Sequence, residues 1–287
     1  MRKRAKAKKG NEQASTATNN RHLTEKEGFD MLSGMITADY FDNKEIFFKD
    51  AMENKHALSM IGKINGKFIL ELGCGPGLDT VFLAQQGGRV TAVDISGGMI
   101  RLTRNMLEKH NLMGVKTVIC PIEKLNFSSI MPESFDLVFG RDVMHHLDSE
   151  KTILVVFKAL KKNGKAVFVE PLRHNPIVEW VRHNFRQGRT PYENALSLKE
   201  IEKMGKGFKR VEHEEFNFFT LLVYLLFVVV EKSRGNKLRV CWWYDISKGW
   251  KYRRLYLALQ KLDKLFLGLF PFMKKYCLTT VVVLYKQ

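Results

Sequence analysis

Residues 69–80, Ile-Leu-Glu-Leu-Gly-Cys-Gly-Pro-Gly-Leu-Asp-Thr, run from an apolar strand through three alternate glycines into a helix. Seventeen residues beyond the last glycine, a second apolar run, Arg89 to Asp94, ends in an acid. This pairing narrows the fold to an α/β domain with a crevice shaped for a nucleoside. Gly73, Gly75 and Gly77 lack Cβ, so the backbone can turn sharply there and approach a ligand closely. Asp94, at the tip of the neighbouring strand, is placed to accept two hydrogen bonds from a ribose diol.

From Lys67 onward the chain repeats a strand, a turn and a helix. The strands expected are Phe68–Leu72, Val90–Asp94, Val115–Cys120, Phe135–Phe139 and Ala166–Glu170, with helices at Leu78–Gln86, Met99–His110 and Ser149–Leu160 between them. Such alternation builds a parallel sheet covered on both faces. Asn163-Gly164 reads as the turn before the fifth strand. Lys209–Phe216 and Thr279–Tyr285 are expected as a sixth and a seventh. Ahead of this core, residues 1–27 are polar and basic and read as a disordered tail. Residues 28–66 read as N-terminal helices, with aromatic Tyr40, Phe41, Phe47 and Phe48. The core is assigned to 67–220 plus 278–287.

The remaining stretch, 221–277, reads as an apolar and amphipathic helical insert or cap. Phe216 to Val230 is nearly continuous apolar sequence. Fifteen helical residues reach about 22 Å, short of a bilayer's hydrocarbon core of about 30 Å. Trp242, Trp243, Tyr244, Trp250 and Tyr252 follow. Over Lys251–Phe270 the helical period places Leu255, Leu259, Leu262, Phe266 and Leu269 on one face, with Arg254, Lys261 and Lys264 elsewhere. Two readings are open, and both can hold: a helix lying on a bilayer surface, and a cap that buries the same residues against the core.

Composition sets broader limits. The formal net charge is +17, with clusters at Arg2–Lys9 and at Lys248, Lys251, Arg253 and Arg254. Positive charge attracts nucleic acid and anionic lipid alike. The four cysteines, Cys74, Cys120, Cys241 and Cys277, form no CxxC pair. That argues against structural zinc and a disulfide framework and favours a reducing, cytoplasmic setting. No signal peptide is expected, because polar residues follow the basic start. No metal site is indicated by the histidine and acid spacing.

Taken together, these segments resemble class I S-adenosylmethionine-dependent methyltransferases over roughly residues 35–220 plus the last strand. Glu71 to Gly77 is similar to that family's first motif, and Val93 to Ser96 to its second. Phe135 to Leu147 is similar to the fourth, and Leu160 to Pro171 to the sixth. The His145-His146 pair is closest to the small-molecule branch that includes quinone and natural-product methyltransferases. The segment from Pro171 to Pro191 resembles a bacterial subgroup of undefined substrate. The resemblance implies a Rossmann-like seven-stranded sheet whose last strand is antiparallel, with S-adenosyl-L-methionine across the carboxyl ends of the first, second and fourth strands. It implies cofactor contacts from Glu71, Gly73, Cys74, Gly75, Gly77, Asp94, Ile95 and Met99. Ile122 and Glu123 would lie near adenine, with Pro121 standing where the family often has an acid, and Gly140 and Arg141 at the methionine end. Met99 reads equally as an ordinary core residue, and Arg141 as an ion-pair partner.

Methyl transfer needs nucleophile and methyl carbon brought into near-attack geometry, and a hydroxyl or acidic-carbon acceptor benefits from a base. His146, then His145, with Glu170 as orienting partner, are the candidates. Packing or backbone hydrogen bonding is the competing role for each. Arg173, His174 and Arg189 are candidates for meeting a polar head group. The acceptor expected is a small, amphiphilic, lipid-like molecule, met by a protein at the membrane periphery and with room for a homo-oligomer. The alternative is a nucleic-acid methyltransferase using the basic surface. Against it, Gly140-Arg-Asp-Val stands where enzymes acting on a flipped base carry an Asp/Asn-Pro-Pro-aromatic signature, and no RNA-binding module is visible. A non-catalytic scaffold is disfavoured by the intact glycine loop and Asp94.

Overall fold

The computed structural model describes residues 2–36, 50–125, 133–184, 190–223, 225–226 and 252–287, with side chains from Thr16 onward. Tyr40, Phe41, Phe47, Phe48, Arg189, Cys241, Trp242, Trp243, Tyr244, Lys248, Trp250 and Lys251 lie outside the described residues.

Seven strands form one sheet: β1 (Phe68–Leu72), β2 (Arg89–Asp94), β3 (Lys116–Ile119), β4 (Phe135–Arg141), β5 (Leu160–Pro171), β6 (Arg210–Phe216) and β7 (Thr279–Tyr285). Their order is β3-β2-β1-β4-β5-β7-β6. The first five are parallel, and β7 runs antiparallel to both neighbours. This is the expected sheet. The order reverses between β1 and β4, and the crevice outside their carboxyl ends is where such sheets bind ligands.

Alternation along the strands explains the two cores. Ile69, Leu137, Phe139, Val167 and Val169 point to the face covered by α2 (Met52–Ile61), α3 (Leu78–Gln85) and α4 (Gly97–Lys109). Leu70, Leu72, Val138, Ala166 and Phe168 point to the face covered by α5 (Ser149–Ala159) and α7 (Leu198–Met204). Side chains on successive strand residues face opposite ways, and a sheet covered on both sides needs apolar residues at both parities. Asn163-Gly164 falls inside β5 instead of before it. Asn163 adopts a φ of 62°, and the β4–β5 register slips between Phe135 and Leu137, so the pair makes a bulge that extends the strand.

The N-terminal assignment is corrected. Residues Arg2–Ser33 form one helix, α1, where a disordered tail was expected over 1–27. Its described side chains dock through polar groups: Arg21 and His22 on Glu123, Glu25 on Thr190 and His146, Asp30 on Ser96 and Gly98. A low apolar content argues for disorder only where no folded surface offers partners for the charges.

The insert is not separate from the core. Leu221 packs with Leu278 and with Val178 of α6 (Pro176–Asn184), and Val223 packs with Tyr256 of α8 (Arg253–Leu269). The buried side chains of α8 are Tyr256, Gln260, Asp263 and Leu267. Leu255, Leu262 and Leu269 are exposed, while Leu259 and Phe266 are half-buried. The helix is thus a cap, but one that buries a different stripe from the one its sequence pattern indicates. No helix among the described residues is long and apolar enough to cross a membrane.

Candidate active site

The glycine loop is tied to the second strand. The N–H groups of Gly73 and Cys74 both donate to the Val93 carbonyl, at 2.8 and 3.1 Å. Asp94 Oδ2 accepts from Gly75 N at 2.9 Å and Oδ1 from Ser96 N at 2.9 Å. Burial pushes the Asp94 carboxyl up to about 6, against these backbone donors. A carboxylate has about four acceptor positions, so both oxygens retain capacity for a diol. The three glycines have different duties. A Cβ on Gly73 would lie 2.4 Å from Val143 Cγ2, and one on Gly77 would lie 2.9 Å from Thr103 Cα. A Cβ on Gly75, with φ of 52°, would meet nothing within 4 Å. Gly73 and Gly77 therefore permit close packing, and Gly75 leaves open space over the loop.

Buried polar side chains support this floor. Thr80 donates to Glu71 Oε2 at 2.6 Å, and burial holds the Glu71 carboxyl well above its ordinary range. Cys74 is a buried thiol near Thr103, and burial raises its pKa. Arg141 grips Asp79 with two nitrogens, at 2.8 and 3.2 Å, and reaches Asn54 Oδ1 at 2.5 Å. It is an ion-pair anchor spanning β4, α3 and α2.

The N-terminus of α4 forms the second wall. Ser96 caps the helix, accepting from Met99 N at 3.0 Å. Asp30 of α1 then accepts from Ser96 Oγ at 2.5 Å and from Gly98 N at 3.0 Å. A carboxylate at a helix N-terminus satisfies orphan N–H groups and complements the dipole. The Asp30 carboxyl falls to about 2; burial opposes the fall, and the hydrogen bonds of Lys26, Ser96 and Gly98 outweigh it. Met99 is buried and Ile95 half-buried.

Beyond β4 the chain turns through Asp142, which has a φ of 50°. Asp142 is exposed, and crowding by neighbouring groups lifts its carboxyl to about 6. Glu170, at the end of β5, is fully buried. Its Oε1 accepts from Val143 N and Met144 N at 3.0 and 2.8 Å, and its Oε2 lies 2.8 Å from His145 Nδ1. Burial pulls His145 down to about 3. His146 faces α1: its Nδ1 lies 3.2 Å from Glu25 Oε2 and 3.3 Å from Thr190 Oγ1, and Phe29 packs edge-on at 5.2 Å between ring centroids. Burial lowers the His146 pKa, but the adjacent Glu25 carboxylate, with Glu193 and Glu170, raises it further, and the net shift is upward. Its polar contacts among the described residues are through Nδ1, which leaves Nε2 as the open nitrogen.

Of the two candidate histidines, His145 is the one that meets Glu170, in the interior, and the acid beside His146 is Glu25. Glu123, expected near adenine, is committed to the Arg21 guanidinium, to His22 Nε2 at 3.1 Å and to Asp148 N at 3.1 Å, while Ile122 is a core residue. Gly140 is a packing glycine, since a Cβ there would lie 2.8 Å from Val143 Cγ1. Arg173 pairs with Glu200 and Asn194, and His174 accepts from Leu198 N. The residues that sequence reasoning missed, Glu25 and Asp30, sit on α1. The available signal was a stretch without proline from Met1 to Met35. No cluster suited to a metal occurs among the described residues.

The sheet order, the glycine loop with Asp94 and the helix-capped wall define a class I methyltransferase, the class whose methyl donor is S-adenosylmethionine. The methyltransferase-domain family model matches residues 64–222, and the chain belongs to that family. Among curated relatives, it is 28% identical over 149 residues to a ubiquinone biosynthesis O-methyltransferase of Bordetella parapertussis, covering 49% of this chain and 60% of the relative. It is 34% identical over 122 residues to the S-adenosyl-L-methionine-dependent Diels-Alderase iccD of Talaromyces variabilis, covering 42% of this chain and 41% of the relative. The chain therefore spans 60% or less of the length of these two curated relatives. Among solved structures, a phosphoethanolamine N-methyltransferase of Haemonchus contortus, with phosphomonomethylethanolamine and S-adenosylhomocysteine, superposes with a TM-score of 0.58 at 22% identity, covering 87% of this chain and 57% of that one. A geranyl diphosphate C-methyltransferase of Streptomyces coelicolor gives 0.54 at 12% identity, covering 81% and 78%. These two likenesses establish the fold.

The residues present fit the donor. Gly75 leaves open space above the loop, and Asp94 keeps acceptor capacity beside it.

Proposed function

We propose that this protein methylates a hydroxyl group of a small, amphiphilic, lipid-like acceptor, working at the periphery of a cytoplasmic membrane surface. The Gly73–Gly77 loop and Asp94 would hold S-adenosylmethionine, which would supply a methyl group activated by its sulfonium. His146 Nε2 would take the proton that the acceptor hydroxyl gives up on methylation. Glu25 at Nδ1 fixes the tautomer that leaves Nε2 basic and stabilises the imidazolium that results, the role a carboxylate serves beside a general-base histidine.

The single observation that carries this reading is the 3.2 Å Glu25–His146 contact beside the end of β4. The similarity to proteins named ubiquinone biosynthesis O-methyltransferase supports an oxygen acceptor on a molecule with an apolar portion. The test is incubation of the full chain with isotope-labelled S-adenosylmethionine and a host lipid extract, followed by mass spectrometry of the organic phase. A labelled ether product that disappears with His146→Ala is expected. No labelled lipid, or the same yield from the variant, overturns the reading.

A further inference from the structure

The helix α8 carries apolar residues on its outward side as well as on its inward one. Its inward side buries Gln260 and Asp263 among Tyr256, Leu267 and the half-buried Leu257, Leu259 and Phe266. Gln260 Nε2 donates to the Asp50 carbonyl at 2.8 Å, Asp263 accepts from Phe218 N, Phe219 N and Thr220 Oγ1, and Tyr256 is buried beside Val223. Its outward face is apolar: Leu255, Leu262, Leu265 and Leu269 are exposed, and the following turn continues this surface with exposed Phe270 and Phe272. Leu265 is 63% accessible, Leu269 67% and Phe272 68%. At about 100° per residue the four leucines fall within an arc of about 80°, nearly opposite the buried stripe. A water-facing helix carries polar residues on that outward arc.

The charges around this surface identify its occupant. Arg254, Lys261 and Lys264 are exposed on α8 and Lys275 on the turn that follows. Between Arg253 and Tyr276 the single acid is Asp263, which is buried on the inward side. A second copy of this face would oppose cation to cation. A lipid surface bearing anionic head groups offers apolar depth for the leucines and opposite charge for the cations at once. We infer that α8 and the Phe270–Phe272 turn seat this protein on an anionic lipid bilayer, with the helix axis lying along the membrane plane. The inference rests on, and gives a location to, the membrane-surface setting proposed above. The seat belongs to the same cap that touches the N-terminal side of α2: Arg253 pairs with Asp50 at 2.8 Å.

The test is flotation of the full chain with vesicles of phosphatidylcholine alone and of phosphatidylcholine mixed with phosphatidylglycerol, at low and at high salt. Wild type is expected to float with the mixed vesicles and to retain part of that binding at high salt. The neutral double variant Leu265→Gln/Leu269→Gln is expected to lose roughly tenfold or more in vesicle partition. Lys261→Gln/Lys264→Gln is expected to lose the preference for anionic vesicles. S-adenosylhomocysteine binding by calorimetry checks that each variant is folded. Absence of flotation overturns the inference. So does wild-type binding by the leucine variant, which would assign the attraction to net charge. A wild-type dimer in light scattering that the leucine pair dissolves would assign the face to a second copy. Product formation from detergent-dispersed lipid reports separately on the catalytic reading, because it needs no vesicle.

Discussion

Glu25 of the first helix and His146 after the fourth strand meet at 3.2 Å, Oε2 to Nδ1, with Thr190 donating to the other Glu25 oxygen at 2.6 Å. The contact makes the basicity of the open nitrogen depend on an N-terminal acid. The His146 pKa is raised above 6.5, with burial opposed by Glu25 and then by Glu193 and Glu170. A base must be unprotonated, so kcat/KM should rise with pH through a value above the ordinary histidine range. Glu25→Gln should move that limb to lower pH and reduce the plateau by roughly 10- to 100-fold. The stability effect has its own sign. A raised folded-state pKa contributes stability that is complete below 6.5 and is lost as pH rises through the folded value. Thermal melts of wild type and Glu25→Gln should therefore differ most below pH 6.5 and converge in alkali. Identical pH–rate profiles would remove Glu25 from the site.

Asp30 couples the same helix to the cofactor wall through Ser96 Oγ and Gly98 N. Its folded-state carboxyl titrates near 2, below the ordinary 3.8. That stability is present above 3.8 and lost as pH falls through about 2. The side chain is about one-third exposed, so with solvent screening the contribution is about 1–2 kcal/mol. Asp30→Ala should raise amide exchange at Gly98 and weaken S-adenosylhomocysteine binding several-fold, read by exchange mass spectrometry and calorimetry. Unchanged exchange at Gly98 would show that α1 does not hold the wall.

The strand–glycine–helix–acid unit is legible in sequence because its information is local. Gly73 to Gly77 and Asp94 lie in consecutive elements, and alternate burial along β1 and β4 leaves a period-two trace. The clasp between α1 and the core is not local. Arg21, His22, Glu25 and Asp30 gain meaning only from Glu123, His146 and Ser96, which stand far along the chain. A polar helix that docks by charge has no apolar stripe to announce it. The partition between the two histidines is hidden for a related reason. His145 and His146 are adjacent, and only the short turn Met144–His146 sends one ring to Glu170 and the other to Glu25. For α8 the periodicity shows an apolar face, but not that Gln260 and Asp263 turn inward to Asp50 and Thr220.

The three loop glycines should separate folding from binding. Gly73→Ala places a methyl 2.4 Å from Val143, and Gly77→Ala places one 2.9 Å from the Thr103 backbone. Both should cost stability, about 1–3 kcal/mol from overpacking and left-handed backbone strain. Gly75→Ala meets no protein atom within 4 Å, and only its φ of 52° opposes it, at about 1 kcal/mol. It should stay folded yet lose S-adenosylhomocysteine affinity by tenfold or more, because the methyl enters the open space above the loop. Thermal melts with calorimetry on the three variants give the comparison. Full affinity in Gly75→Ala would place the donor elsewhere.

The interior pair provides the complementary case. Glu170 accepts from Val143 N and Met144 N and lies 2.8 Å from the His145 ring, with no exposure. Burial raises its carboxyl to about 7, while the backbone donors pull the other way. Because the folded-state value lies above the ordinary 4.5, the stability linked to this group is complete below about 4.5 and is lost as pH rises through about 7. Glu170→Gln keeps an acceptor for the two backbone donors and a donor toward His145 Nδ1, but carries no charge. It should flatten the decline of Tm between pH 5 and pH 8 (roughly the window those two values set) and leave the pH–rate profile in place. Glu170→Ala strips the acceptor from two buried N–H groups and should cost about 2–4 kcal/mol. His145→Phe should likewise lower Tm and keep the rate limb set by His146. If Glu170→Gln instead abolished methyl transfer with its fold intact, the base would have to be His145, and the roles assigned to the two histidines would be exchanged.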